Sequence, residues 1–284
     1  MKELKLFLLS IIISFGVSLG ADTKMPDIVS VAWLKSHYDD KNLVIIDVRE
    51  EKDFQKLHLK HAINMPVFKD LFDTSNQYKL PGLNTLKNLF SKAGIDDNSQ
   101  VVVYGNNELI WAARFYWISQ VLGHENVGLL AVGFGNWENG ALPTSTKIYH
   151  PKRTNFTPRI DDTKLETKLS TYLAIDREII IDGRPYEFYK GLKSHAKRYG
   201  HIPSALNYPG SQNYDVNGSG LKSIKKLEKI YTNLPKDKKI ILYCEDGADA
   251  ALNYLVLQKL GYKASVYDGS WLEWGNDFNL PVER

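Results

Sequence analysis

Cysteine is almost absent: among 284 residues there is one, Cys244. A lone thiol forms no internal disulfide. Excess charge of one sign is missing too. The 36 Lys and Arg against 33 Asp and Glu leave a net +3, and the basic residues are scattered along the chain. That excludes a basic stripe for nucleic acid. Long apolar runs are also lacking. The longest, Leu6 to Val17, falls short of the ~20 residues a membrane-spanning helix needs. What remains is 43% hydrophobic and 24% charged, a globular composition in a chain long enough for two domains.

The start of the chain reads differently from the rest. Lys2 and Lys5 precede the apolar run, and Ser18-Leu19-Gly20-Ala21 follows it. Basic start, short apolar core and small residues predict a signal peptide over residues 1–20, cut after Gly20, and hence a periplasmic protein. No cysteine follows the run, which excludes a lipid anchor at the cut. No stable membrane insertion is expected after cleavage. In an oxidising compartment a single thiol is a liability unless it is used. The alternative is a buried, inert cysteine.

Beyond the leader, strand and helix patterns alternate. Short apolar runs at Leu43–Ile46, Val101–Tyr104 and Asn126–Val132 predict strands, and Ile110–Val121 predicts a well-buried helix. The plan then recurs with strands at Ile179–Ile181, Lys239–Tyr243 and Ala264–Tyr267 and a helix at Ala250–Leu260. Four blocks align in order: IIDVREEKDF with IIDGRPYEFY, HLKHAINMP with HIPSALNYP, VVVYGNN with IILYCED, and LGHENVGLLAVGFGNW with LGYKASVYDGSWLEW. Such order predicts a duplicated α/β domain, each copy a mostly parallel sheet flanked by helices. The domains are expected over 25–142 and 164–284. A linker over 143–163 carries Pro143, Pro151 and Pro158.

The cysteine lies in the run ILYCEDGADAA, residues 241–251, where a strand gives way to a helix. Loop N–H groups and a helix N-terminus there favour an anion. Such a place is expected to lower a thiol's pKa and make it a nucleophile. Gly247 lets the backbone curl around the sulfur. Asp249 is expected to cap the following helix.

These residues, with GHIPSALNYP and YDGSWLEW, resemble the tandem-domain rhodanese family, the thiosulfate and 3-mercaptopyruvate sulfurtransferases, in their exported bacterial form. The resemblance covers about Pro26 to Gly275. It implies an active second domain and a degenerate first one, and Gly105 stands where the second copy has Cys244. It implies that the Cys244 thiolate takes the outer sulfur of a donor (thiosulfate, 3-mercaptopyruvate or polysulfide) as a persulfide. An acceptor such as cyanide or a thiol then removes it. Neither metal nor organic cofactor is implied, and the tandem chain is expected to be a monomer. A phosphatase of related fold would have a loop one residue longer ending in arginine, which this loop lacks.

By the same resemblance, Glu245, Asp246, Gly247, Ala248 and Asp249 line the donor site. Arg184 contacts the donor anion or pairs with Asp182. Asp182, Asp268 and Trp271 are the supporting residues: Asp268 orients the loop by hydrogen bonds or simply caps a turn, and Trp271 walls the pocket or fills the core beside it. Lys193, His195, Lys197 and Arg198 add positive charge or form a solvated face. The three loop acids depart from the family pattern, which is basic or neutral there. They oppose a thiolate and an anionic donor. A second reading follows: a sulfur carrier of slow turnover that delivers persulfide to a protein partner attracted by those acids.

Overall fold

A computed structural model describes residues 25–137, 140–215, 217–218 and 220–284. The leader expected over residues 1–20 lies outside the described residues. The first half contains β1 (Ile28–Val29), β2 (Leu43–Asp47), β3 (His58–Leu59), β4 (Ile63–Asn64), β5 (Gln100–Tyr104), β6 (Val127–Leu130) and β7 (Thr144–Ser145). The second contains β8 (Leu165–Glu166), β9 (Ile179–Asp182), β10 (Leu206–Asn207), β11 (Lys239–Tyr243) and β12 (Lys263–Tyr267). The first sheet has the order β1-β6-β5-β2-β4 and the second β8-β12-β11-β9-β10. All of these pairings are parallel. One order is the other repeated, as the aligned blocks predict. The central strands are buried on both faces, which is why they read as unbroken apolar runs rather than alternating ones.

The helices Ile110–Val121 and Ala248–Lys259 hold corresponding places in the two copies and pack on each other across the domain boundary. Each is apolar on nearly every face because it lies between its own sheet and its counterpart. Phe115, Trp117, Leu252 and Leu255 belong to one cluster of buried side chains that spans both domains. The domains therefore share a core. The stretch read as a linker lies along the first domain. Phe156 is buried there, and the N–H of Arg159 donates to the Leu122 carbonyl at 2.9 Å. β7, at the start of this stretch, pairs antiparallel with β3.

Candidate active site

β11 ends at Tyr243, and the next residue is Cys244. Its side chain is fully buried. Gly247 closes the loop with φ +92°, the left-handed region that favours glycine, and the helix starts at Ala248. The Gly247 N–H consequently points back and donates to the sulfur at 3.1 Å. The turn after β12 fixes the other side of the loop. The Cys244 N–H donates to Ser270 Oγ at 3.1 Å, the Trp271 N–H to the Cys244 carbonyl at 2.9 Å and the Leu272 N–H to the Glu245 carbonyl at 3.0 Å.

The three loop acids have three different surroundings. Asp246 Oδ1 accepts the Ala248 N–H at 3.1 Å and stands 3.9 Å from the sulfur. Asp246 thus caps the helix, not Asp249 as the sequence suggested. Gly247, with no side chain, holds the N-cap position, so the acid one step earlier in the loop reaches the free amide. Asp249 lies in the first helical turn against Gly210, where a Cβ on the glycine would lie 2.4 Å from its Oδ1. Burial, then Asp246, Asp182 and Glu108, push its carboxyl up to about 7. Glu245 turns toward Arg184, its Oε2 3.6 Å from Nη1, with His195 Nδ1 3.8 Å from its other oxygen. Burial raises its pKa as well.

The thiol does not have the lowered pKa expected at a helix end. Burial pushes it well above the ordinary range, and Asp246 and Asp249 add to the effect, against the amides of Ala250 and Asp246. The helix dipole and loop amides are present. Desolvation and like charge outweigh them while the sulfur is enclosed.

Arg184 forms the pair that sequence reasoning set beside its anion-binding role. Nε reaches Asp182 Oδ1 at 3.0 Å, Nη2 reaches Asp182 Oδ2 at 2.6 Å, and Nη2 also reaches the Gly200 carbonyl at 2.7 Å. Tyr243 Oη donates to the same carboxylate at 2.7 Å. The thiol-free copy repeats this arrangement. Arg49 donates to Asp47 at 3.0 and 2.6 Å and to the Leu57 carbonyl at 2.8 Å, and Tyr104 Oη donates to Asp47 at 2.5 Å. A network present without a cysteine holds the fold in both places. Only Arg184 Nη1 is left over, buried and without a hydrogen-bond partner. The guanidinium lies 4.4 Å over the ring of Trp271, which is itself buried.

The charged insertion brings one residue to the loop, the exposed His195. Arg198 is taken up by backbone carbonyls of Leu280 at 2.6 Å and Trp274 at 2.7 Å, and Lys193 faces Glu187 at 3.4 Å. Asp268 does more than cap a turn: it accepts the Leu80 N–H at 2.6 Å and Arg114 Nη1 at 2.7 Å, both from the first domain. Arg114 and Ser270 were missed in the sequence. Arg114 carried a signal, the single charge in a mostly apolar helix.

This loop stands on the second of two sheets of matching strand order. The Rhodanese-like domain model matches residues 30–140 and 163–277. The chain belongs to the rhodanese family. It is an enzyme of the rhodanese-type sulfurtransferase class. The putative thiosulfate sulfurtransferase of Mycobacterium leprae is 31% identical over 278 residues, covering 90% of this chain and 97% of that one. The thiosulfate sulfurtransferase of Corynebacterium glutamicum is 29% identical, covering 90% of each. Among solved structures, the 3-mercaptopyruvate sulfurtransferase SseA from Escherichia coli matches with a TM-score of 0.77 and 26% identity, over 87% of this rhodanese and 99% of that chain. The anaerobic ergothioneine biosynthesis enzyme from Chlorobium limicola shares the fold, with a TM-score of 0.81 at 20% identity, over 90% of this chain and 70% of that one.

Proposed function

We propose that this rhodanese transfers sulfane sulfur through a persulfide on Cys244. The observation that carries the reading is the Gly247 N–H aimed at the sulfur at 3.1 Å, in a loop whose other side is fixed by Ser270 and Trp271. In the first half-reaction Cys244 gives up its proton toward Asp246 Oδ1, 3.9 Å from the sulfur, and the thiolate attacks the outer sulfur of the donor. The donor's S–S or C–S bond breaks, and the electron pair leaves with sulfite, pyruvate enolate or a shortened polysulfide. In the second, cyanide or a thiolate attacks the outer persulfide sulfur, and the pair returns to Cys244. A persulfide is a stronger acid than a thiol, so the loop amides hold it as an anion more readily than the resting thiol. Cys244→Ser removes the nucleophile and is expected to abolish transfer from every donor. Retained turnover in that variant would reject the reading.

The donor class follows from charge. Glu245, Asp246 and Asp249 belong to the loop, and the two arginines beside it are already paired, Arg184 with Asp182 and Glu245 and Arg114 with Asp268. A doubly charged donor meets more repulsion here than a singly charged or neutral one. Thiosulfate is a full dianion near neutral pH, whereas polysulfide is partly the singly protonated monoanion. The rhodanese is accordingly proposed to load faster from polysulfide than from thiosulfate, which competition between the two at equal concentration tests directly. A second reading rests on the full burial of Cys244 and its raised pKa: a carrier that loads once and releases sulfur to a protein acceptor. Rapid loading with slow cyanide turnover would favour it.

Export is proposed from Lys2, Lys5 and the apolar run to Val17. The mature protein in a periplasmic fraction is expected to begin at Ala21. An uncleaved N-terminus would contradict this.

A further inference from the structure

The first domain carries no thiol, yet three of its groups meet the turn that holds the catalytic loop. Arg114 Nη1 donates to Asp268 Oδ1 at 2.7 Å, the Leu80 N–H to Asp268 Oδ2 at 2.6 Å, and Lys79 Nζ to Glu273 Oε1 at 3.0 Å. Asp268 and Glu273 flank Ser270, Trp271 and Leu272, the residues that fasten the backbone of Cys244 and Glu245. Arg114 also touches the loop itself. A Cβ on Gly247 would lie 2.7 Å from its Nη1, and it is Gly247 whose N–H meets the sulfur.

The guanidinium is built into its place. Arg114 is fully buried, with its charge 4.5 Å over Phe72 and 4.9 Å over Trp117, both residues of its own domain. Asp268 is its ion-pair partner. Its Nε and Nη2 lack hydrogen-bond partners. A buried arginine with two unpaired nitrogens is costly, and core packing alone does not call for it.

We infer that Arg114 is a positioning residue for the catalytic loop of the other domain, acting through Asp268 and Gly247. The degenerate copy thereby sets the amide cradle around Cys244. The inference rests on Cys244 carrying the sulfur, and its test includes a readout that needs no sulfur donor.

Arg114→Met and Asp268→Asn are compared with wild type in sulfur transfer and in the pH profile of Cys244 alkylation by iodoacetamide. Both variants are expected to lose about 10- to 100-fold in kcat with KM little changed, as misplacement of a reacting group does. Arg114→Met leaves Asp268 unpaired and moves the alkylation inflection to higher pH. Asp268→Asn leaves Arg114 unpaired and moves it lower. A residue acting through its charge alone would speed the Asp268→Asn enzyme, so its loss of kcat is the mark of positioning. Arg114→Lys keeps one donor toward Asp268 and is expected to restore most of the activity. Folded variants with wild-type kcat and an unmoved alkylation profile would overturn the inference. So would variants that merely melt earlier and that lysine does not rescue. If the methionine variant does not fold, the nearly isosteric Asp268→Asn gives the same decision. An enzyme that alkylates normally at Cys244 but transfers no sulfur would refute the persulfide reading and leave the alkylation test intact.

Discussion

The Gly247 amide donates to the Cys244 sulfur at 3.1 Å only because Gly247 adopts φ +92°. An alanine there meets two obstacles, the left-handed backbone and Arg114 Nη1, 2.7 Å from the new Cβ. Gly247→Ala is expected to cost about 1–3 kcal/mol in chemical denaturation and most of the sulfur transfer. A variant of unchanged stability and turnover would show that the loop tolerates another path around the sulfur.

Asp249 titrates near neutrality, and its sign is fixed. Its folded pKa of about 7 lies above its ordinary value of 3.8. The folded protein therefore binds the extra proton between those values. The associated stability is fully present below about pH 4 and is lost as the pH rises through about 7. Asp249→Asn is expected to melt several degrees above wild type at pH 8 and alongside it at pH 4. Removing that charge also lets Cys244 alkylate faster at pH 8. Equal melting temperatures at pH 8 would contradict the burial of this carboxyl.

Glu245 stands before the leftover nitrogen of Arg184, 3.6 Å from Nη1. Glu245→Gln removes the opposing charge and leaves the arginine to meet an anion. The expected result is a fall of about tenfold in KM for thiosulfate, equivalent to ~1.4 kcal/mol, with a smaller change for polysulfide. A KM that does not move would show that Arg184 takes no part in holding the donor.

The paired networks of Asp47 with Arg49 and Asp182 with Arg184 have matching geometry. Asp47→Ala and Asp182→Ala each strand a buried arginine, at a cost of about 3–5 kcal/mol. Similar losses in denaturation, one of them in the thiol-free domain, would mark the pair as a feature of the fold. A loss confined to Asp182→Ala would point to a role in the site.

Much of this architecture is legible in the chain. Strands buried on both faces appear as unbroken apolar runs, and the helix Ile110–Val121 falls where its composition places it. The sequence leaves Arg184 open between the donor anion and a salt bridge; the matching pair of Asp47 with Arg49, in a copy with no cysteine, is what decides for Asp182. Other features depend on which way a side chain turns. Nothing in CEDGAD says that Glu245 faces an arginine, that Asp246 caps the helix, or that Asp249 settles against Gly210. The raised thiol pKa is equally hidden, since it arises from burial of the sulfur and from the nearness of Asp246 and Asp249. Arg114 meets Asp268 across 154 positions of sequence, a contact that exists only once the two helices pack.

The central claim is that Cys244 carries sulfur. The most direct test is the intact mass of the reduced mature protein after separate incubation with thiosulfate, 3-mercaptopyruvate and polysulfide. The account predicts one added sulfur, gained fastest from polysulfide, absent from Cys244→Ser and lost when cyanide is added. A folded protein with a free thiol and no added sulfur from any donor would contradict it.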